Sequence, residues 1–147
     1  MTGSSTPEGG SNQWYRYLVE TNEFTGVPGW DVLSAKCPSR QVFDRIGERW
    51  TGLILLALEP GTLRFSELRR RVEGVTQKML TQTLRNLERD GMVERRVYAT
   101  VPATVEYELT PMGHSLCAAV SALRGWAYDH MDDIAAAQAH FDARLTA

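Results

Sequence analysis

Residues 64–109 are punctuated so tightly that few folds accommodate them. Pro60-Gly61 stops a strongly apolar run, Gly74-Val75 separates two amphipathic stretches, and Gly91 follows the second. Glycine tolerates the left-handed backbone that ends a helix, and proline removes a helical donor. The pattern predicts a short helix over 65–72, with Phe65, Leu68 and Val72 inward, and a second over about 76–90. Thr76 is suited to the N-cap of the second helix and Gly91 to its left-handed C′ position. Residues 93–99 and 105–109 then read as strands joined by the loop 100–104. Helix, turn, helix and two-stranded wing predict a mainly α fold with a small β-hairpin wing (α+β). In this winged helix-turn-helix layout the second helix of the pair fits the major groove of DNA.

At 147 residues the chain can build one domain with its own core plus an element for assembly. A short helix is expected from Pro38 to a stop at Gly47, with Pro38 at its first position and Val42, Phe43 and Ile46 on one face. Residues 50–58 hold Leu53, Ile54, Leu55, Leu56 and Leu58 and read as the buried helix. Residues 62–64 read as a brief strand. Thr110 and Pro111 suit the N-cap and first position of a last helix. There Met112, Leu116, Val120, Leu123, Ala127, Ile134, Phe141 and Leu145 recur near heptad spacing. Such a stripe suits subunit pairing, with Leu116, Val120, Leu123, Ala127 and Ile134 as the dimer residues, and Gly125 and Asp132-Asp133 are candidate breaks. At the other end, residues 1–11 have the Ser/Gly/Thr/Pro composition of disorder, and 12–25 carry an aromatic patch with a helical look (Trp14, Tyr15, Tyr17, Phe24). Residues 25–35 read as a linker. The organisation expected is therefore an N-terminal arm at 1–35, a DNA-binding domain at 36–110 and a C-terminal helical dimerisation region at 111–147.

Charge sharpens this reading. The net charge is −2, yet residues 60–100 hold nine Lys/Arg against five acids, leaving −6 for the rest. A basic centre with acidic ends is the footprint expected of a nucleic-acid binder, although a solvated charged face has the same composition. Two cysteines form no disulfide framework, and His114, His130 and His140 lack metal-ligand spacing. No metal, cofactor or catalytic set is expected, and no enzyme activity. The polar N-terminus lacks a signal sequence and the longest apolar run, 53–58, cannot span a membrane, so a cytoplasmic home without membrane contact is expected.

Within 76–90, Leu80, Leu84 and Leu87 share one face while Lys78, Thr81, Gln82, Arg85 and Arg89 share the other. Residues near the start of such a helix approach base edges, which makes Gln77, Lys78, Thr81 and Gln82 the candidate readers. Gln pairs with adenine, Lys bonds guanine, and the Thr methyl meets thymine. Arg85 and Arg89 are candidate phosphate contacts, with Arg69 and Arg70 (beside Arg71) as a clamp and Arg95, Arg96 and Tyr98 on the wing. An ordinary amphipathic surface helix and a plain core-closing hairpin are the competing readings; for Tyr98 and Tyr107 the hairpin reading is preferred.

Several motifs in register resemble one family. They are Cys37-Pro38, Asp44-Arg45-Ile46-Gly47-Glu48-Arg49-Trp50-Thr51, Arg64-Phe65-Ser66-Glu67-Leu68, Lys78-Met79-Leu80-Thr81 and Leu84-Arg85-Asn86-Leu87-Glu88-Arg89-Asp90-Gly91. Val105-Glu106-Tyr107 and Leu109-Thr110-Pro111-Met112-Gly113 complete the set. Together they resemble the HxlR-type regulators, a MarR-like winged-helix group, over about residues 36–130. The resemblance implies a homodimeric transcriptional regulator on a pseudo-palindromic operator, with 76–90 as recognition helix. Similar proteins often carry an arginine near the wing tip where this chain has Thr104, so only phosphate contacts are expected from the wing. Some members sense oxidants through a cysteine at the position of Cys37. A helix N-terminus with Lys36 and Arg40 nearby would favour the thiolate there, while a small residue filling a gap is the other reading. Cys117 reads as core. Trp50, Trp126, Tyr128 and Met131 read as core or as the lining of a crevice for a small-molecule effector. A winged-helix module that binds protein partners is the alternative function.

Overall fold

The run Thr51–Leu58 is apolar nearly all round, and the fold is assembled around it: Thr51, Ile54, Leu55, Ala57 and Leu58 are buried, while Leu53, expected inside, is about half exposed. The protein is described here by a computed structural model covering residues 30–147; the aromatic stretch at 12–25 lies outside the described residues. The elements in order are α1 (Arg40–Gly47), α2 (Thr51–Leu58), β1 (Leu63–Arg64), α3 (Phe65–Arg71), α4 (Gln77–Arg89), β2 (Val93–Tyr98), β3 (Thr104–Leu109) and α5 (Pro111–Leu145). Residues 30–120 form one unit and 121–147 another, with α5 contributing to both.

In the first unit Ile54, Leu55 and Leu58 of α2 meet Leu68 of α3 and Leu80, Leu84 and Leu87 of α4. Val93, Tyr107 and Leu109 close the core from the sheet, and Cys117 and Val120 from α5. Each fully buried aliphatic side chain contributes roughly 1.5–3 kcal/mol. The sheet is antiparallel in the order β1-β3-β2, with Leu63 opposite Tyr107 and β2 paired to β3 from Val93–Leu109 to Tyr98–Thr104. Mainly helical, with a small sheet and a long last helix, this is the winged helix-turn-helix architecture.

The helix-turn-helix ends are secured as the residue types demand. The Thr76 hydroxyl accepts the Met79 amide at 3.2 Å, a cap of about 1 kcal/mol. At the other end of α4, Gly91 takes φ +76° while its amide bonds the Glu88 carbonyl and the Met92 amide bonds that of Leu87. This is the Schellman closure. Thr110 joins that closure to α5: its hydroxyl donates to the Gly91 carbonyl at 2.6 Å and accepts the Gly113 amide at 3.0 Å. Gly113 itself is required by space, because a Cβ there would run into the Met92 carbonyl.

Five expectations are corrected. Pro38 does not open α1; the chain passes through successive tight turns, Arg40 amide to Cys37 carbonyl and Gln41 amide to Pro38 carbonyl, and the helix begins at Arg40. Only Ile46 of the α1 apolar face packs on the core; Val42 and Phe43 stay exposed, Phe43 at 65%. Tyr98 is also exposed, because it lies at the tip end of the ladder beyond the core, whereas Tyr107 is buried. Neither Gly125 nor Asp132-Asp133 breaks α5, since helix neighbours on both sides carry the backbone through. Of the five stripe residues, Val120 is buried in this chain's own core and Leu116 packs on it. Leu123 is exposed, and Ala127 and Ile134 are partly exposed. Cys117 is core, as expected, with its thiol donating toward the Leu55 carbonyl and Glu59 carboxylate. Trp50 packs on the core, Trp126 stacks on His130 at 4.4 Å, and Tyr128 and Met131 are exposed.

Gly113→Ala is expected to lower stability by about 1–3 kcal/mol through forced overpacking. Gly47→Ala, which meets nothing within 4 Å, is expected to be neutral or stabilising by up to about 1 kcal/mol. Chemical denaturation of the two variants checks the contrast.

Candidate nucleic-acid interface

The buried leucines of α4 decide which way its polar side faces. With Leu80, Leu84 and Leu87 at 0–1% exposure underneath, Gln77, Lys78, Thr81, Gln82, Arg85 and Arg89 are all exposed. Thr81 turns its hydroxyl back to the Gln77 carbonyl at 2.8 Å, which leaves its methyl outward. Gln82 donates one amide hydrogen to Asn86 Oδ1 at 3.2 Å. Asn86 is therefore a side chain that holds a candidate reader, a role that spacing alone did not show.

Grooves flank α4 on both sides. One is lined by Phe65, Ser66, Arg69, Arg70 and Gln77, which joins the α3 arginines to the start of α4. The other is lined by Thr81, Leu84, Arg85, Glu88, Arg95 and Tyr107, between α4 and the wing. Among the described residues Arg69, Arg70, Lys78, Arg85, Arg89 and Arg95 form no ion pair, so six cations face solvent around one helix. Such a surface can donate to phosphates and to acceptors on base edges.

Arg95 and Arg96 are both candidate wing contacts by sequence, but the pleat separates them, since successive strand residues point to opposite faces. Arg95 pairs with Tyr107 across the ladder on the side of α4. Arg96 lies on the outer face, where Glu94 at 3.4 Å and Glu108 both bind its guanidinium. The Glu94 hydrogen bond first, then the Glu108 charge, hold it protonated still more firmly than an ordinary arginine. Thr104 begins β3 and shares its hydroxyl with Thr100 at 2.9 Å.

A second ion pair positions α4 itself. Arg45 of α1 reaches the C-cap residue Asp90 at 2.6 Å and Glu48 at 2.7 Å, and Trp50 lies 3.7 Å from where a Cβ on Gly74 would stand. Both the turn before α4 and the cap after it are thereby braced.

The residues, the turn and the wing agree with a family model for the HxlR-like helix-turn-helix, which matches residues 45–135. The chain belongs to the HxlR-like helix-turn-helix family. One relative, the HTH-type transcriptional regulator YtfH of Escherichia coli (strain K12), is 48% identical over 96 residues, 65% of this chain and 76% of the relative. A solved structure of the transcriptional regulator ytfH from Salmonella typhimurium has a TM-score of 0.70 at 43% identity, over 74% of this chain and 97% of the other. The redox regulator HypR in its oxidized form has a TM-score of 0.59 at 42% identity, over 63% of this chain and 96% of the other. As an HxlR-like protein the chain is a helix-turn-helix transcriptional regulator and not an enzyme.

Cys37 occupies the turn ahead of α1 and is partly exposed. Its sulfur lies 2.9 Å from the Ser39 hydroxyl and accepts the Asp31 amide at 3.3 Å. Ser39 first, and the two backbone amides after it, pull the thiol below its ordinary value, against partial burial and the Asp31 carboxylate. Lys36 and Arg40, the charges suspected from sequence, are not among the causes; Arg40 points to the Leu33 carbonyl. Ser39→Ala is expected to move the pH profile of iodoacetamide alkylation at Cys37 upward, because the thiolate loses its nearest donor. An unmoved profile would assign the lowering to the backbone alone.

Proposed function

We propose that this regulator binds specific double-stranded DNA as a homodimer on a pseudo-palindromic operator, with α4 as recognition helix. The observation that carries the reading is a set of six exposed cations, unpaired among the described residues, around a helix whose exposed side also carries Gln77, Thr81 and Gln82, with Met79 and a single acid, Glu88. Gln77, Lys78, Thr81 and Gln82 are assigned to base edges, and Arg69, Arg70, Arg85, Arg89 and Arg95 to phosphates. A protein-docking module is the weaker alternative, because such interfaces are depleted of charge at their centre. DNA as partner places the protein in the cytoplasm, and among the described residues no helix is long and apolar enough to cross a membrane.

Apolar side chains left outside the core support pairing of two copies. On α1 these are Val42 and Phe43; on α5 they are Leu123, Tyr128, Met131, Phe141 and Leu145. Contiguous exposed apolar side chains are a feature of association surfaces. Two-fold pairing would present recognition helices about 34 Å apart, one turn of the duplex. Cys37 is the candidate sensor of this regulator: it is accessible, its thiolate is favoured, and a similar structure is that of a redox regulator. Oxidation of the thiolate to sulfenic acid or to a disulfide is the chemistry available there.

Fluorescence anisotropy across a salt series tests the first assignment. Arg85→Ala is expected to weaken binding to every duplex and to flatten the log–log salt slope by about 0.9, one phosphate contact. Gln82→Ala is expected instead to change which bases are preferred in fragments selected from genomic DNA, at about 1–3 kcal/mol per lost base contact. Equal loss on specific and random DNA would remove Gln82 from the readers. Diamide is expected to release the selected operator from the wild type and not from Cys37→Ser; release from both would remove Cys37 as the sensor.

A further inference from the structure

The outer face of the wing carries a charge pattern that the DNA-binding reading does not use. Along it stand Glu94, Arg96 and Tyr98 from β2 and Thr104, Glu106 and Glu108 from β3, with Arg64 of β1 opposite Glu106. Glu94 lies opposite Glu108 in the ladder, and Arg96 sits between them, bonded to both. Like charges directly opposite repel, so the pair of glutamates favours a cation drawn between them. Glu108 is also held from β1, where the Thr62 hydroxyl donates to Oε2 at 3.1 Å. Glu108 thus sits on the central strand of the sheet, anchored from one neighbour and binding Arg96 on the other.

The position of Arg96 gives this weight. Among the described residues β2 is an edge strand, with β3 on one side and no strand on the other. Arg95, the next residue along, opens into the groove beside Arg85. An arginine at an edge, one residue from a phosphate-facing neighbour, has open space in which to swing toward a polyanion. Here it is drawn back over the central strand instead. The outer face holds three carboxylates against Arg64 and Arg96, so it presents no net positive charge to a duplex.

We propose that Glu94 and Glu108 are positioning residues that hold Arg96 away from the DNA backbone, and so limit the sequence-independent part of the affinity. This rests on the DNA-binding reading above and adds to it a determinant of specificity. Phosphate contacts tighten binding to every sequence alike. Restraining one of them keeps the ratio of specific to random binding high.

Full-length wild type, Glu94→Gln/Glu108→Gln, Arg96→Ala and the triple variant combining them are titrated with a fluorescein-labelled random-sequence duplex across a salt series. Thermal melts run in parallel establish that each variant is folded. The double variant is expected to bind tighter, with a salt slope steeper by about 0.9. A fourfold rise in salt then weakens it about three- to fourfold more than the wild type. Arg96→Ala alone is expected to leave wild-type affinity and slope unchanged, and in the triple variant the steeper slope is expected to vanish. A purely structural role for the glutamates would move the melts without steepening the slope. The inference is overturned by a double variant with wild-type affinity and slope, or by a gain that survives in the triple variant. It is overturned equally by Arg96→Ala flattening the slope as Arg85→Ala does, since Arg96 would then already contact phosphate. Failure of the wild type to bind any duplex, selected or random, would overturn the DNA-binding reading itself and is distinct from these outcomes.

Discussion

Everything in the proposed interface depends on α4 being held rigidly along its underside and at both ends. Three leucines are sealed against α2, α3 and the sheet, so the helix cannot roll without exposing them. Thr76 closes its start, and the Gly91 turn closes its end. Arg45 and Thr110 then tie that end to α1 and α5. Removing one buried leucine side chain typically costs 2–5 kcal/mol, far more than the few tenths to one that a surface charge contributes. The polar face is thus presented by packing, and its charges are free to serve a ligand.

The same bracing gives α1 a mechanical connection to α4. Cys37 lies in the turn that leads into α1, and Arg45 of α1 bonds the residue that caps α4. Both groups in that ion pair are less than a third exposed, so it is screened less than a surface pair. A change at Cys37 and a change in the set of α4 therefore share one short element.

Much of the fold was legible because its signals are local. Thr76, Gly91 and Thr110 act within a few residues of themselves, and the 3-4 spacing of Leu80, Leu84 and Leu87 names a buried face without reference to other elements. The candidate readers on α4 were legible for the same reason, since a helix with one sealed side leaves only the other exposed. The wing was harder to read. Adjacent arginines in a basic stretch look equivalent, yet whether each meets a carboxylate depends on strand register, and Glu108 lies twelve residues from Arg96.

The amino-acid order by itself determined the succession of helix, turn, helix and wing, the buried side of α4, and the surplus of cations around it. Tertiary packing decided which cations are left to act, because only cross-strand register brings Glu94 and Glu108 to Arg96. It also decided where the apolar residues go: Val120 into the chain's own core, Phe43 and Leu123 outside it. Periodicity marks a residue as apolar and places it on a face, but the neighbour that covers the face is set by elements distant in sequence.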